Sequence, residues 1–152
     1  MYRKNTEKAS KKNLGSVLQS PRCFMKKTDF KIFRASSGLG LKTLKDIKKG
    51  GEVLEYKGKR LRNEEADKRP NRYHFEVGKN LTIDGVPRSN LARYINHSCR
   101  PNCEAVHYTG KDRVFIEAIR NIEAGEELTY DYGEAYFKDY IKPTGCRCFA
   151  CS

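Results

Sequence analysis

The segment Arg93-Tyr94-Ile95-Asn96-His97-Ser98-Cys99-Arg100-Pro101-Asn102-Cys103 sets a carboxamide, an imidazole, a hydroxyl and a thiol at four consecutive positions. No solvated loop needs such a cluster, and a fold that buries it must give every polar group a partner. About thirty residues later comes Glu127-Leu128-Thr129-Tyr130-Asp131-Tyr132-Gly133, with two tyrosines one residue apart beside a glycine. These two segments constrain the fold more than any other part of the chain.

At 152 residues the chain suits one domain that buries roughly two-thirds of its unfolded surface. Its residues are 38% hydrophobic and 33% charged, so a compact core must coexist with a very polar remainder. Apolar runs stop at about three residues, too short for a spanning helix or a secretory signal core. A soluble, intracellular protein without membrane contact is expected. Ten of the basic residues fall within residues 1–34, against only Glu7 and Asp29. A basic arm on a nearly balanced body suggests a polyanion such as nucleic acid as a contact for residues 3–34; a solubilising tail is the plainer alternative. Six cysteines in a lysine-rich chain argue for a reducing compartment and metal binding rather than disulfides.

Residues 1–28 lack periodicity and read as a basic, disordered arm. Beyond them the pattern turns β-like. Phe30–Arg34 and Leu41–Leu44 read as strands about a turn over Ser36–Gly40, and Glu52–Tyr56 as another strand. Asn63–Arg69 reads as a short capped helix stopped by Pro70. Tyr73–Val77 with Asn80–Asp84, and Glu104–Tyr108 with Arg113–Ile119, read as hairpins. A helical turn is expected between Ser89 and Tyr94, a last strand through Tyr130, and a short helix over Glu134–Tyr140. The sum is a mostly β domain of several small sheets with few short helices.

The two segments described first, taken together, resemble the signature of the SET-domain lysine methyltransferases, and five elements fall in that family's order over residues 29–151. The resemblance implies a SET fold over residues 29–133, a post-SET-like tail over 134–152, and a knot-like threading of the C-terminal segment, an exception to the usual unthreaded chain. It implies transfer of a methyl group from S-adenosylmethionine to a lysine side chain of a protein. Such an amine must arrive uncharged, and only on the order of one free lysine in a few thousand is neutral at pH 7. The site must therefore desolvate the ammonium and hold nitrogen, methyl and sulfur in line; tyrosine rings can wall that channel and attract a cation.

By the same resemblance, Gly38, Leu39 and Gly40 form a glycine turn against the cofactor, although Gly-x-Gly alone is more often a plain tight turn. Tyr73, Asn96, His97 and Tyr132 contact the cofactor as well. Asn90 and Arg93 read as internal framework groups, Arg93 standing also in the cofactor-binding set. Tyr56, from Glu55-Tyr56-Lys57-Gly58, joins Tyr130 and Tyr132 as the catalytic tyrosines, with Tyr132 the principal one. A hydroxyl at Tyr130 holds water and narrows the site, which favours mono- or dimethylation. Outside this context His97 would read as a zinc ligand or a core imidazole, and each tyrosine as an ordinary strand aromatic.

The tail Cys146-Arg147-Cys148-Phe149-Ala150-Cys151 resembles the family's post-SET segment, in which three cysteines join the signature cysteine, here Cys99, on one structural zinc. Four thiolates leave no open position for chemistry. Two residues rather than four separate Cys148 from Cys151, a departure that still leaves a competent zinc spacing. Cys103 is the substitute fourth ligand, or a small buried hydrophobe; Cys23 reads as a free thiol. Histones or other basic proteins are the implied substrates, with a nuclear or host-nuclear location for a histone target and a cytoplasmic one in a prokaryote. The competing reading is a catalytically weak SET-fold module that binds chromatin or nucleic acid through the arm.

Overall fold

The computed structural model describes residues 3–5, 11–12 and 25–152; Cys23 lies outside them. Glycine-punctuated runs of β-branched and aromatic residues give strands throughout, and helices are few and short. Two brief strands of the arm come first, β1 (Lys4–Asn5) and β2 (Lys11–Lys12). β3 (Phe30–Ala35) and β4 (Gly38–Thr43) form a hairpin sheet in register from Phe30↔Thr43 to Ala35↔Gly38. Its turn is Ser36-Ser37 alone, shorter than the sequence suggests, because Gly38 at φ +118° takes a conformation closed to most side chains and pairs at once.

β5 (Glu52–Glu55), β6 (Lys59–Leu61) and α1 (Asn63–Lys68) follow. Asn63 does not cap α1. The carboxylate of Glu65 accepts the Arg62 N–H at 3.1 Å, while Asn63 Oδ1 accepts from the Thr82 hydroxyl at 2.8 Å and so ties α1 to the adjoining hairpin. That hairpin, β7 (His74–Val77) and β8 (Leu81–Asp84), turns over residues 78–80. The first sheet runs β1-β7-β8-β6, with β1 parallel to β7 at its edge.

A single 3₁₀ turn, Leu91–Tyr94, leads into β9 (Asn96–His97), β10 (Cys103–Tyr108), β11 (Arg113–Ala118) and β12 (Thr129–Tyr130). The second sheet runs β5-β11-β10-β12-β9, with β2 also paired to β10. β12 lies parallel to both neighbours, with Tyr130 opposite Cys103 on one side and His97 on the other. This register joins the two signature segments, and the Asn102 carboxamide clasps them: it donates to the Glu127 carbonyl at 2.7 Å and accepts the Thr129 N–H at 2.9 Å. α2 (Glu134–Tyr136) continues into a π-helical turn, Phe137–Ile141. Leu41, Phe75, Ile95, Val106, Ile116, Ile122 and Leu128 are fully buried and fill the space where the sheets meet. Among the described residues no helix is long and apolar enough to cross a membrane.

Candidate active site

Four tyrosines meet where β5, β12 and α2 converge. Tyr132 stands 4.8 Å from Tyr130 and 5.0 Å from Tyr136 between ring centroids, and Phe75 bridges Tyr56 to Tyr130. Each hydroxyl is placed differently. Tyr132 donates to the Ile95 carbonyl at 2.6 Å and Tyr56 to the Tyr73 carbonyl at 2.7 Å. The Tyr130 hydroxyl is buried with no hydrogen-bond partner among the described residues. A buried orphan of that kind costs about 1–3 kcal/mol, which a water or an amine in the enclosure would remove. Gly85 makes room for the box: a Cβ there would stand 2.4 Å from the Tyr56 hydroxyl.

The box encloses an amine of the chain itself. Lys4 Nζ lies 3.8 Å from the Tyr132 ring centroid, 5.7 Å from those of Tyr56 and Tyr130, and 5.8 Å from that of Tyr136. Burial raises the Tyr56, Tyr130 and Tyr132 hydroxyls above the ordinary phenol range and pushes Tyr136 up to about 12. All four are neutral phenols near pH 7, so none acts as a tyrosinate base. What the enclosure offers a lysine is desolvation and ring faces, which discourage its protonation through the first and position it through the second.

Tyr132 and Lys4 also line a cleft of about 780 Å³. Gly38, Leu39, Tyr73, Arg93, Asn96 and His97 line the same cleft, so the structure gathers nearly all the residues expected around the cofactor. Gly40 is apart from them. It is buried within β4 opposite Phe33, where a Cβ would press on Glu127, Ala35 and Phe33. The Asn96 carboxamide spends both donor hydrogens inside the protein, on the Leu39 carbonyl at 3.2 Å and Glu127 Oε1 at 3.0 Å. His97 Nδ1 accepts the Tyr132 N–H at 3.2 Å. That bond puts the imidazole proton on Nε2, 3.6 Å from Cys99 Sγ. Asn90 is an internal framework group, buried between the Lys57 N–H and the Gly85 carbonyl. The Arg93 guanidinium stacks on Tyr73 at 3.9 Å and donates to the Val86 carbonyl, while its buried Nε has no partner among the described residues.

Tyr136, Arg72 and Arg88 also line the cleft, and Glu127 accepts from Asn96 behind it; the sequence reading singled out none of them. Tyr136 follows Tyr132 at helical spacing, a signal that was available; the two arginines carried none.

Cys99, Cys146, Cys148 and Cys151 bring their Sγ atoms within 4.8 Å of one another, with Cys99 at 3.8 Å from Cys146 and 3.5 Å from Cys151. Cys103 is buried in β10, outside this group. Zn–S bonds of about 2.3 Å in a tetrahedron place the sulfurs about 3.8 Å apart, so the cluster has the dimensions of a four-thiolate site. Burial raises the Cys99 and Cys146 thiols. At Cys148 burial opposes ionisation too, but hydrogen bonds from the Cys99 backbone and the neighbouring thiols outweigh it and pull the group down to about 6. Cys146 and Cys148 also line the cleft, so this cluster forms part of its wall.

This tyrosine-walled enclosure, opening on a cleft lined from both signature segments, is what the resemblance to the SET-domain family leads one to expect. Residues 38–133 match the family model of the SET domain, and the chain belongs to that family. It is 41% identical over 126 residues to the histone-lysine N-methyltransferase trithorax of Drosophila virilis, a match covering 76% of this chain and 3% of that protein. Identity is 42% over 123 residues to human histone-lysine N-methyltransferase 2D, covering 74% of this chain and 2% of the other. It is 40% over 124 residues to the mouse H3 lysine-36-specific enzyme, covering 72% and 5%. The chain thus spans only a few per cent of the length of these relatives.

Proposed function

We propose that this chain is a protein-lysine N-methyltransferase that uses S-adenosylmethionine and acts on histone or histone-like tails. The observation that carries the reading is the tyrosine box holding a lysine amine at the edge of the cleft. A cleft of about 780 Å³ lies within the range that holds small cofactors, and the unpartnered donor at Arg93 suits a ligand carboxylate. Gly38, Leu39, Tyr73, Arg93, Asn96, His97 and Tyr132 would hold the cofactor, which supplies a methyl group on a sulfonium. The chain's own part is to strip water from the lysine, to position it against Tyr132, and to leave its proton to solvent. The unpartnered Tyr130 hydroxyl supports a preference for mono- and dimethylation, because a water held there takes the space an added methyl needs. Cys99, Cys146, Cys148 and Cys151 would bind one structural zinc. The catalytic body would be residues 29–133 and the metal-bearing tail residues 134–152. Nuclear action follows for a histone target, cytoplasmic action for a substrate in a prokaryotic cell.

The test is transfer of isotope-labelled methyl from S-adenosylmethionine to histone H3 and to lysate proteins, with methyl-lysine located by mass spectrometry. Tyr132→Phe frees the Ile95 carbonyl and loosens the ring, and is expected to cut the initial rate by about 10²-fold. Absence of methyl-lysine on every substrate with the unaltered chain would falsify the reading.

A further inference from the structure

We propose that Lys4 is itself a substrate: the N-terminal arm docks in the peptide groove of its own domain and Lys4 is methylated in cis. The inference rests on the methyltransferase reading above and adds a modification site to it. β1 lies along the edge of the first sheet as an added parallel strand, with Lys4 opposite Phe75 and Asn5 opposite Glu76. Strand addition at a sheet edge is a general mode of peptide capture. From that strand the Lys4 side chain runs inward until it is 2% exposed and lines the cleft together with Tyr132. Its amine is the one enclosed by the four tyrosine rings.

The preceding residue is held as firmly. Arg3 is 6% exposed; it donates to the Asn63 carbonyl at 2.8 Å, pairs with Asp67, and lies 3.8 Å from Glu76. A buried guanidinium needs such partners, and an acidic pocket on α1 and β7 provides them. An arm that merely lay on the surface would satisfy neither side chain in this way. Burial, reinforced by the positive charges of Arg72 and Arg93, pushes the Lys4 amine down to about 7. A large share of seated amines is therefore neutral at physiological pH, as a nucleophile must be.

The chemistry balances. The Lys4 Nζ lone pair forms a C–N bond as the methyl C–S bond of S-adenosylmethionine breaks. The sulfur keeps the bonding electrons and departs as S-adenosylhomocysteine, and the methylammonium releases its extra proton to water.

The experiment follows the Glu-C fragment ending at Glu7 by mass spectrometry, after incubation of the full chain with S-adenosylmethionine and, in parallel, a histone peptide. Methyl on Lys4, formed at a first-order rate unchanged by about 30-fold dilution of the protein, is the expected result, since tethering fixes the local concentration. Arg3→Ala is expected to slow it while methylation of the peptide continues. A second readout needs no cofactor: acetylation of Lys4 by an N-hydroxysuccinimide ester is expected to be about 10-fold or more slower than that of exposed Lys79, a protection that local opening sets, and Arg3→Ala removes it. Lys4 left unmethylated while the peptide is modified overturns the inference and spares the enzyme. Failure on Lys4, the peptide and lysate proteins alike overturns both readings. A Lys4 rate that falls with dilution overturns the cis route.

Discussion

Neutral phenols surround the enclosed amine, so the lysine proton must leave because burial makes it costly, and this has a pH signature. The Lys4 amine titrates at about 7 when seated, against 10.5 for a free side chain. Between those values the released arm binds more protons than the seated one, so seating strengthens as pH rises from 7 towards 10.5 and is indifferent to pH below 7. Single-turnover methylation of seated Lys4 should climb about tenfold per unit below pH 7 and level off above it. A rate still climbing near pH 9 would show an arm mostly released at neutral pH, its seated fraction rising with pH. Tyr130 supplies the second prediction at this scale. Tyr130→Phe removes the orphaned hydroxyl and any water it holds, so products shift from mono- and dimethyl to trimethyl-lysine by mass spectrometry, with no loss of folding. Tyr56, Tyr130 and Tyr132 could be read from their motifs. Lys4 could not, because a lysine in a polar, aperiodic arm has no sequence mark that sets it apart from its solvated neighbours, and full burial of a lysine is rare.

The pairing of β9 with β12 decides where those side chains meet. Each is two residues long, and neither has room for an alternating pattern; the same holds for β1 and β2 and for the three residues of β6. The hairpins β3–β4, β7–β8 and β10–β11 were legible because their strands are longer and have glycine in or beside the turn; the turn over 109–112 falls where the sequence places it, while the other two differ in length. At 36–37 the turn is two residues, because Gly38 and Gly40 belong to the ladder and not to the loop. The clasp between the signature strands rests on one side chain. Asn102→Ala strands the Glu127 carbonyl and the Thr129 N–H, at a cost of about 1–3 kcal/mol for each unsatisfied group. Chemical unfolding of this variant should show a loss of about 2–6 kcal/mol, and the drop in activity should exceed that from a core Ile→Ala change of similar cost.

Taken whole, the molecule closes its cleft with its cysteine tail. Gly145, Cys146, Arg147 and Cys148 face the cavity that Gly38 and Leu39 line from the opposite hairpin, and the Ser36 hydroxyl reaches across to the Arg147 carbonyl at 2.8 Å. Cys99 anchors that wall to the signature segment. The cysteine spacing made the cluster legible; its service as a wall was not, because spacing says nothing of which face a loop presents. If the four cysteines hold the zinc proposed for them, a chelator should release about one zinc per chain and weaken S-adenosylhomocysteine binding in calorimetry, because the tail that walls the cleft loosens. The sheets, which the cluster meets only at the end of β9 through Cys99, should keep their far-ultraviolet dichroism. A cell starved of trace metal would then hold this protein intact but poorly charged with its methyl donor, and output would follow mineral supply before protein abundance changed.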